Sequence, residues 1–323
     1  MQSPYPEPIT PSKTRIGWIG IGIMGSAMAS RLLDAGYSLT LYARNPSKAL
    51  PLKSKGAHLA NSPHDIAHCS DVVFTIIGGP PDVRSIVLGP DGILSGLSSG
   101  GVTVDMTSSH PSLAREISKA ARAKHCWAVD APVSGADVGA REGKLAIMAG
   151  GDAGVVEWLS PLFQIMGKCT YMGGAGCGQS CKIANQIVGS ANLVGLSEAF
   201  TFAERAGLDL KTLFDGIRSG AAGNMIMELF GERMMERDFR PGGFVEYLVK
   251  DLDLGMGMDV AEDTEDERVT ALPGASLCKQ LFSAMIANGD GKLGLQGLIT
   301  VIERLNGIDK RQLVSDSREC DSL

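Results

Sequence analysis

A lysine and two carboxamides stand at i, i+3 and i+4 in Gly176-Cys177-Gly178-Gln179-Ser180-Cys181-Lys182-Ile183-Ala184-Asn185-Gln186. On a helix that spacing puts Lys182, Asn185 and Gln186 on one face. From there to Arg205 the residues are mostly Ala, Val, Leu, Ile, Gly and Ser, so the helix is expected to be largely buried. A buried ammonium needs a partner or a task, because an unpaired charge is costly away from water. One reading makes Lys182 a general acid/base. The other makes it a helix-end lysine with its head in water, as most lysines are. The segment by itself leaves both open.

Gly20-Ile21-Gly22-Ile23-Met24-Gly25 is a G-x-G-x-x-G between an apolar strand at 15–20 and a helix at 24–35. The first glycine permits the tight turn and the second lets backbone approach a pyrophosphate. The third lets helix and strand pack closely, while the helix N-terminus adds amide donors and a favourable dipole. Alone the string is weak; at the first strand–helix junction of an α/β pattern it points to a dinucleotide. The second strand ends Leu41-Tyr42-Ala43-Arg44-Asn45, with no acid for a ribose 2′-hydroxyl. Arg44 suits a 2′-phosphate, and Asn45 and Ser47 add neutral donors. NADP(H) is the favoured cofactor and NAD(H) the alternative; a solvated surface arginine is the competing reading of Arg44.

Asp130-Ala131-Pro132-Val133-Ser134-Gly135-Ala136 follows another strand, whose C-terminal end should face the ligand crevice of an open sheet. Ser134 and the amides near Gly135 would make a small nest for a carboxylate, or a plain turn. His64 and His68 are spaced for a metal but lack a third ligand nearby, so a solvated helix face is expected. Ser276-x-x-Lys279 lacks the companion strings of an acylating serine. The acidic run 262–267 reads as a solvated loop, and the methionines at 225–235 read as helix core.

These groups need a frame. Strands at 15–20, 38–43, 71–77, 101–105, 127–131 and 145–149 alternate with helices, the pattern of a mostly parallel, doubly wound sheet. Ser62-Pro63-His64-Asp65 starts one of those helices, with a capping serine and an acid three residues on. From 178 onward the periodicity is helical: 179–206, 210–219, 225–236, 244–260, 276–288 and 295–305. The expected organisation is a disordered lead at 1–13, a Rossmann-type NAD(P)-binding domain at 14–175, an all-α domain at 176–308 and a tail at 309–323. At 323 residues two domains are the natural expectation.

A formal charge of −6 without a basic stripe argues against a nucleic-acid partner. No apolar run reaches the roughly 20 residues that span a bilayer. Seven scattered cysteines suggest a reducing compartment without disulfides. The first residues lack a transit or secretory pattern, so the cytoplasm is favoured over mitochondrion or peroxisome; the closing Ser322-Leu323 carries little weight after Asp321. Small residues at Gly189, Ser190, Ala191 and Gly195 suit close helix packing, and a homodimer or homotetramer is expected.

Together these segments resemble the β-hydroxyacid dehydrogenase family over about residues 15–306, nearest its plant 3-hydroxyisobutyrate dehydrogenase-like branch. Four motifs carry the likeness: Gly20 to Gly25, Asp130 to Leu145 (DAPVSGADVGAREGKL), Gly178 to Gln186, and Lys250-Asp251-Leu252. The resemblance implies a 6-phosphogluconate dehydrogenase-like fold and hydride transfer between NAD(P)(H) and a small β-hydroxy acid or semialdehyde. It makes Lys182 the catalytic lysine, Ser134 and Gly135 the substrate-carboxylate loop, and Asn185 with Gln186 the orienting pair. Ile77, Gly78, Ser108 and Lys250 fall at cofactor contacts. An NADPH-dependent glyoxylate or succinic semialdehyde reductase is the nearest alternative, and a non-catalytic nucleotide-binding module a further one. The chain departs from the family in Ala136, where many relatives have glycine. It departs also in a long acidic stretch between Lys250 and Pro273, and in the lack of an aspartate shortly after Gly289–Gly294.

Overall fold

The computed structural model describes residues 7–257, 270–308 and 310. The expectations for the first six residues, the acidic run 262–267, the end of the 244–260 helix and the last residues of the chain lie outside them. Two compact units divide the chain, Met1–Ile183 and Ala184–Leu323.

In the first unit β1 (Arg15–Ile19), α1 (Ile23–Asp34), β2 (Ser38–Tyr42), α2 (Leu50–Ser54), β3 (His58–Leu59), α3 (Pro63–His68) and β4 (Val72–Thr75) come first. They are followed by α4 (Pro80–Leu88), α5 (Ile93–Gly96), β5 (Val102–Asp105), α6 (Pro111–Ala123), β6 (Trp127–Asp130) and β7 (Val133–Ser134). Then come α7 (Ala136–Glu142), β8 (Leu145–Gly150), α8 (Ala153–Trp158), α9 (Ser160–Met166) and β9 (Gly167–Gly173). The sheet order is β3-β2-β1-β4-β5-β6-β8-β7, with β9 on β8, and β1 to β6 run parallel. The chain leaves β1 in one direction for β2 and β3 and in the other for β4, β5 and β6. The crevice for a ligand is therefore the C-terminal edge at β1 and β4.

Parallel strands must be apolar on both faces. Ile16, Trp18, Val72 and Phe74 enter one core cluster while their neighbours Ile19 and Val73 enter the other, which is the period of two of a strand buried twice over. Ser62 caps α3 as its sequence predicts, its hydroxyl accepting from the Asp65 amide at 3.0 Å. Three strands have no counterpart in the sequence pattern: the two-residue β3 on the edge beside β2, β7 and β9. β7 continues the register of β6 along β8, antiparallel, after the break at Ala131-Pro132. β9 is a half-exposed edge bounded by glycines, too polar to register as a strand.

The second unit is helical. α10 (Cys177–Arg205) runs into it, followed by α11 (Leu210–Arg218), α12 (Met225–Met235), α13 (Val245–Met256), α14 (Pro273–Ala287) and α15 (Ile299–Leu305). Phe200, Phe214, Phe230 and Phe282 anchor its core. Met227 and Met234 join that core, whereas Met225 is exposed.

Candidate active site

The turn after β1 shows which glycine serves packing and which serves a ligand. Gly20 has φ +100°, and a Cβ there would stand 2.0 Å from the Ile76 carbonyl oxygen. A Cβ on Gly25 would stand 2.1 Å from the Gly20 oxygen. Both positions are closed to side chains by backbone. Gly22, the residue before α1, has extended geometry, and a Cβ there meets nothing within 4 Å. Packing does not require that glycine; an approaching phosphate at a helix N-terminus does. The turn is held by Trp18 Nε1 donating to the Gly20 carbonyl and Ser26 Oγ donating to the Ile21 carbonyl, both at 2.9 Å. Ile21 is buried, Met24 half-buried and Ile23 exposed. These residues fit a dinucleotide.

The ends of β4 and β5 are tied by a buried network centred on Asp105, which sequence reading missed. Its Oδ1 accepts from Thr75 Oγ1 at 2.8 Å and from the Thr107 amide at 3.1 Å. Thr107 Oγ1 in turn accepts from the Ile77 amide at 3.0 Å. Ile77, Gly78 and Ser108 are thus held on one rim. After β2, Arg44 is exposed and pairs with Asp82 of α4, Nη1 to Oδ1 3.2 Å. Asn45 turns inward on its own chain and accepts from the Ser47 amide at 3.1 Å.

Ser134 ends β7, opposite Ala146 of β8. Gly135 follows with φ +133°, and Ala136 holds φ +54°. The second value is unusual for a residue with a Cβ. The loop is half-buried.

At the head of α10 a Cβ on Gly178 would stand 2.4 Å from the Met148 oxygen and 2.5 Å from the Asp130 oxygen, so the helix seats directly on β6 and β8. Asp130 accepts from the Gly176 amide at 2.8 Å and the Gln179 amide at 2.9 Å, serving donors a helix start leaves open. Burial pushes its carboxyl up to about 6; the two amides oppose that and the Asp105 charge adds to it. Gln179, fully buried, accepts from the Ser109 amide and donates to the Thr107 carbonyl, both at 2.8 Å. This frame fixes Lys182, which is 8% exposed. A helix-end lysine with its head in water does not describe it. Nothing in the sequence marked Asp130 or Gln179 as its supports, because both act across more than forty residues of chain.

In the second unit the carboxamides are linked. Asn185 Nδ2 donates to Gln186 Oε1 at 3.0 Å, and Gln186 Nε2 donates to Asp251 Oδ2 at 2.9 Å. Lys250 pairs with Asp251 Oδ1 at 3.1 Å. Gln186 therefore spends its amide on α13.

The remaining clusters are engaged in local contacts. His64 donates to or accepts from Ser95 and stacks on His68, and no group of potential metal ligands occurs among the described residues. Ser276 Oγ bonds the Leu272 carbonyl, and Lys279 pairs with Asp253.

The Gly20–Gly25 turn fits a dinucleotide and Lys182 is buried near the head of α10, and similarity to known proteins supplies the class. A family model described as the NAD binding domain of 6-phosphogluconate dehydrogenase matches residues 15–174. One described as NAD-binding of NADP-dependent 3-hydroxyisobutyrate dehydrogenase matches 176–302. The chain is 61% identical to probable 3-hydroxyisobutyrate dehydrogenase-like 3, mitochondrial, of Arabidopsis thaliana, over 95% of this chain and 93% of that one. A solved Mycobacterium tuberculosis 3-hydroxyisobutyrate dehydrogenase with L-serine is similar at TM-score 0.79 and 26% identity, covering 90% of this chain and 99% of that one. Psf3 in complex with NADP+ and 2-OPP gives TM-score 0.80 and 25% identity over 89% and 99%. The chain belongs to the β-hydroxyacid dehydrogenase family. It is an NAD(P)-dependent oxidoreductase of the 3-hydroxyisobutyrate dehydrogenase-like kind. No helix among the described residues is long and apolar enough to cross a membrane.

Proposed function

We propose that the protein interconverts a small β-hydroxy acid and its semialdehyde, with Lys182 as general acid/base and NADP(H) as the preferred cofactor. The observation that carries this reading is Lys182, 8% exposed on a helix head braced by Asp130 and Gln179. When bound, the nicotinamide supplies hydride to the carbonyl carbon or takes it from the alcohol carbon. Lys182 hydrogen-bonds the substrate oxygen, donating its proton in reduction and accepting it, as the neutral amine, in oxidation. Ser134 and the Gly135 amide hold the substrate carboxylate, and holding both ends of a short acid is what proximity catalysis needs. Asn185 follows one turn after Lys182 and orients the substrate, while Gln186 fixes Asn185 through Asp251. Lys250 keeps the cofactor role that the family resemblance gives it.

The cofactor preference rests on Arg44, which must leave Asp82 to reach a 2′-phosphate. An assay of glyoxylate, succinic semialdehyde, methylmalonate semialdehyde and 3-hydroxyisobutyrate with both cofactors tests the reading. The expected result is activity on at least one of them with NADPH or NADP+ preferred. Nucleotide binding without turnover on any would mean a non-catalytic module.

The oligomer is read from α10. Between Ala184 and Phe202 its exposed positions are Ala184, Val188, Ala191, Gly195, Glu198 and Phe202, spaced alternately by four and three. That is the period of a helix–helix seam, with Val188 at 61% and Phe202 at 70% exposure. A second copy of the chain is the proposed occupant. Light scattering should show a dimer or larger that Gly195→Glu dissociates; an unchanged mass would refute the seam. The mitochondrial location in the Arabidopsis name competes with the cytoplasmic expectation, and an import assay separates them.

A further inference from the structure

The acid missing from the end of β2 is met by one from a helix, α4. Arg44 follows β2, Asp82 lies in the first turn of α4 after β4, and β2 and β4 are the two neighbours of β1. Their side chains meet at 3.2 Å across the C-terminal end of β1, where the Gly20–Gly25 turn begins. The other oxygen of Asp82 lies against the rim: a Cβ on Gly78 would stand 2.3 Å from Asp82 Oδ2. The carboxylate is therefore seated between Gly78 and Arg44, in the first turn of a helix, where the dipole favours an anion.

We propose that Asp82 is a specificity-determining residue, supplying from α4 the acidic acceptor that β2 lacks and competing with a 2′-phosphate for Arg44. The inference rests on the reading of Arg44 as the 2′ contact. A ribose 2′-hydroxyl donates a hydrogen bond to the carboxylate, as it would to an acid at the end of β2. A 2′-phosphate draws Arg44 away and then faces the uncompensated Asp82 charge. The pair is 76% and 40% exposed, so opening it is cheap and the carboxylate's own charge sets the discrimination. NADP(H) preference then reflects Arg44 outweighing Asp82, not the absence of an acid.

Equilibrium binding of NADP+ and NAD+ by calorimetry, on wild type, Asp82→Asn, Arg44→Ala and the double variant, tests this without turnover. Asp82→Asn should tighten NADP+ and weaken NAD+, moving the ratio of Kd values toward NADP+ by about tenfold. Most of that gain should persist when Arg44 is already Ala, because the Asp82 charge still faces the 2′-phosphate there. Thermal melts matching wild type establish that each variant is folded, as both side chains are exposed. An unchanged ratio in Asp82→Asn, with Arg44→Ala selectively weakening NADP+, overturns the proposal and leaves the Arg44 reading intact. Equal losses for both nucleotides in Arg44→Ala sink the Arg44 reading instead. Asp82 is then judged on NAD+ alone, and an unchanged NAD+ Kd in Asp82→Asn overturns it as well.

Discussion

At the head of α10 the Asp130 carboxylate is buried, accepts two backbone amides and faces a helix packed against β6 and β8 with no room for a Cβ on Gly178. At the mouth of the crevice Asp82 is 40% exposed and shares one arginine that is itself 76% exposed. The first arrangement cannot move without leaving buried amides unpaired; the second exchanges partners at little cost. Chemistry needs the first kind, because a proton donor out of place by an ångström loses much of its effect. Selecting between two nucleotides needs the second, since a bound group must be able to displace what holds the site beforehand.

That contrast can be broken at the glycines first. Gly25→Ala puts a Cβ against the Gly20 oxygen and should cost about 3 kcal/mol or more of stability, read in denaturant melts. Gly22→Ala meets nothing and should melt like wild type, yet weaken both nucleotides by about tenfold or more. Similar melts for the two variants would mean the turn is not divided between packing and ligand.

Asp130 gives a pH test of the buried side. Its folded pKa of about 6 stands above its ordinary 3.8, so the protonated form is the one folding favours. Its contribution is fully present below about pH 4 and is lost as pH rises through 6, a swing of roughly 3 kcal/mol. The stability of Asp130→Asn relative to wild type should therefore rise by about that amount between pH 4 and 7. A flat difference would mean that the carboxylate is not desolvated. Smallest is Ala136→Gly, which should relieve the φ +54° strain and stabilise by about 1 kcal/mol in the same melts. Destabilisation would show that the Ala136 methyl is used in packing.

Much of this was readable in the residues. Gly20, Gly22 and Gly25, the Ser62 cap and the long small-residue helix all signal through neighbours a few positions away, and each element lies where its pattern put it. What escaped was set by partners distant in the chain. Asp130 and Gln179 are 49 apart, Gln179 and Ser109 70 apart, Arg44 and Asp82 38 apart, and no local pattern announces such pairs. β2 ends without an acid, and only the fold brings Asp82 of α4 to Arg44. β7 is invisible in the sequence because two residues after a proline carry no period.

The most direct test compares Lys182→Ala with Arg44→Ala in one set of assays for turnover and nucleotide binding. The account predicts that Lys182→Ala loses about 10²–10⁴-fold in kcat while its NADP+ Kd holds. Arg44→Ala should keep kcat at saturating cofactor and lose NADP+ affinity selectively. Near-normal turnover in Lys182→Ala, or the same defect in both variants, would contradict it.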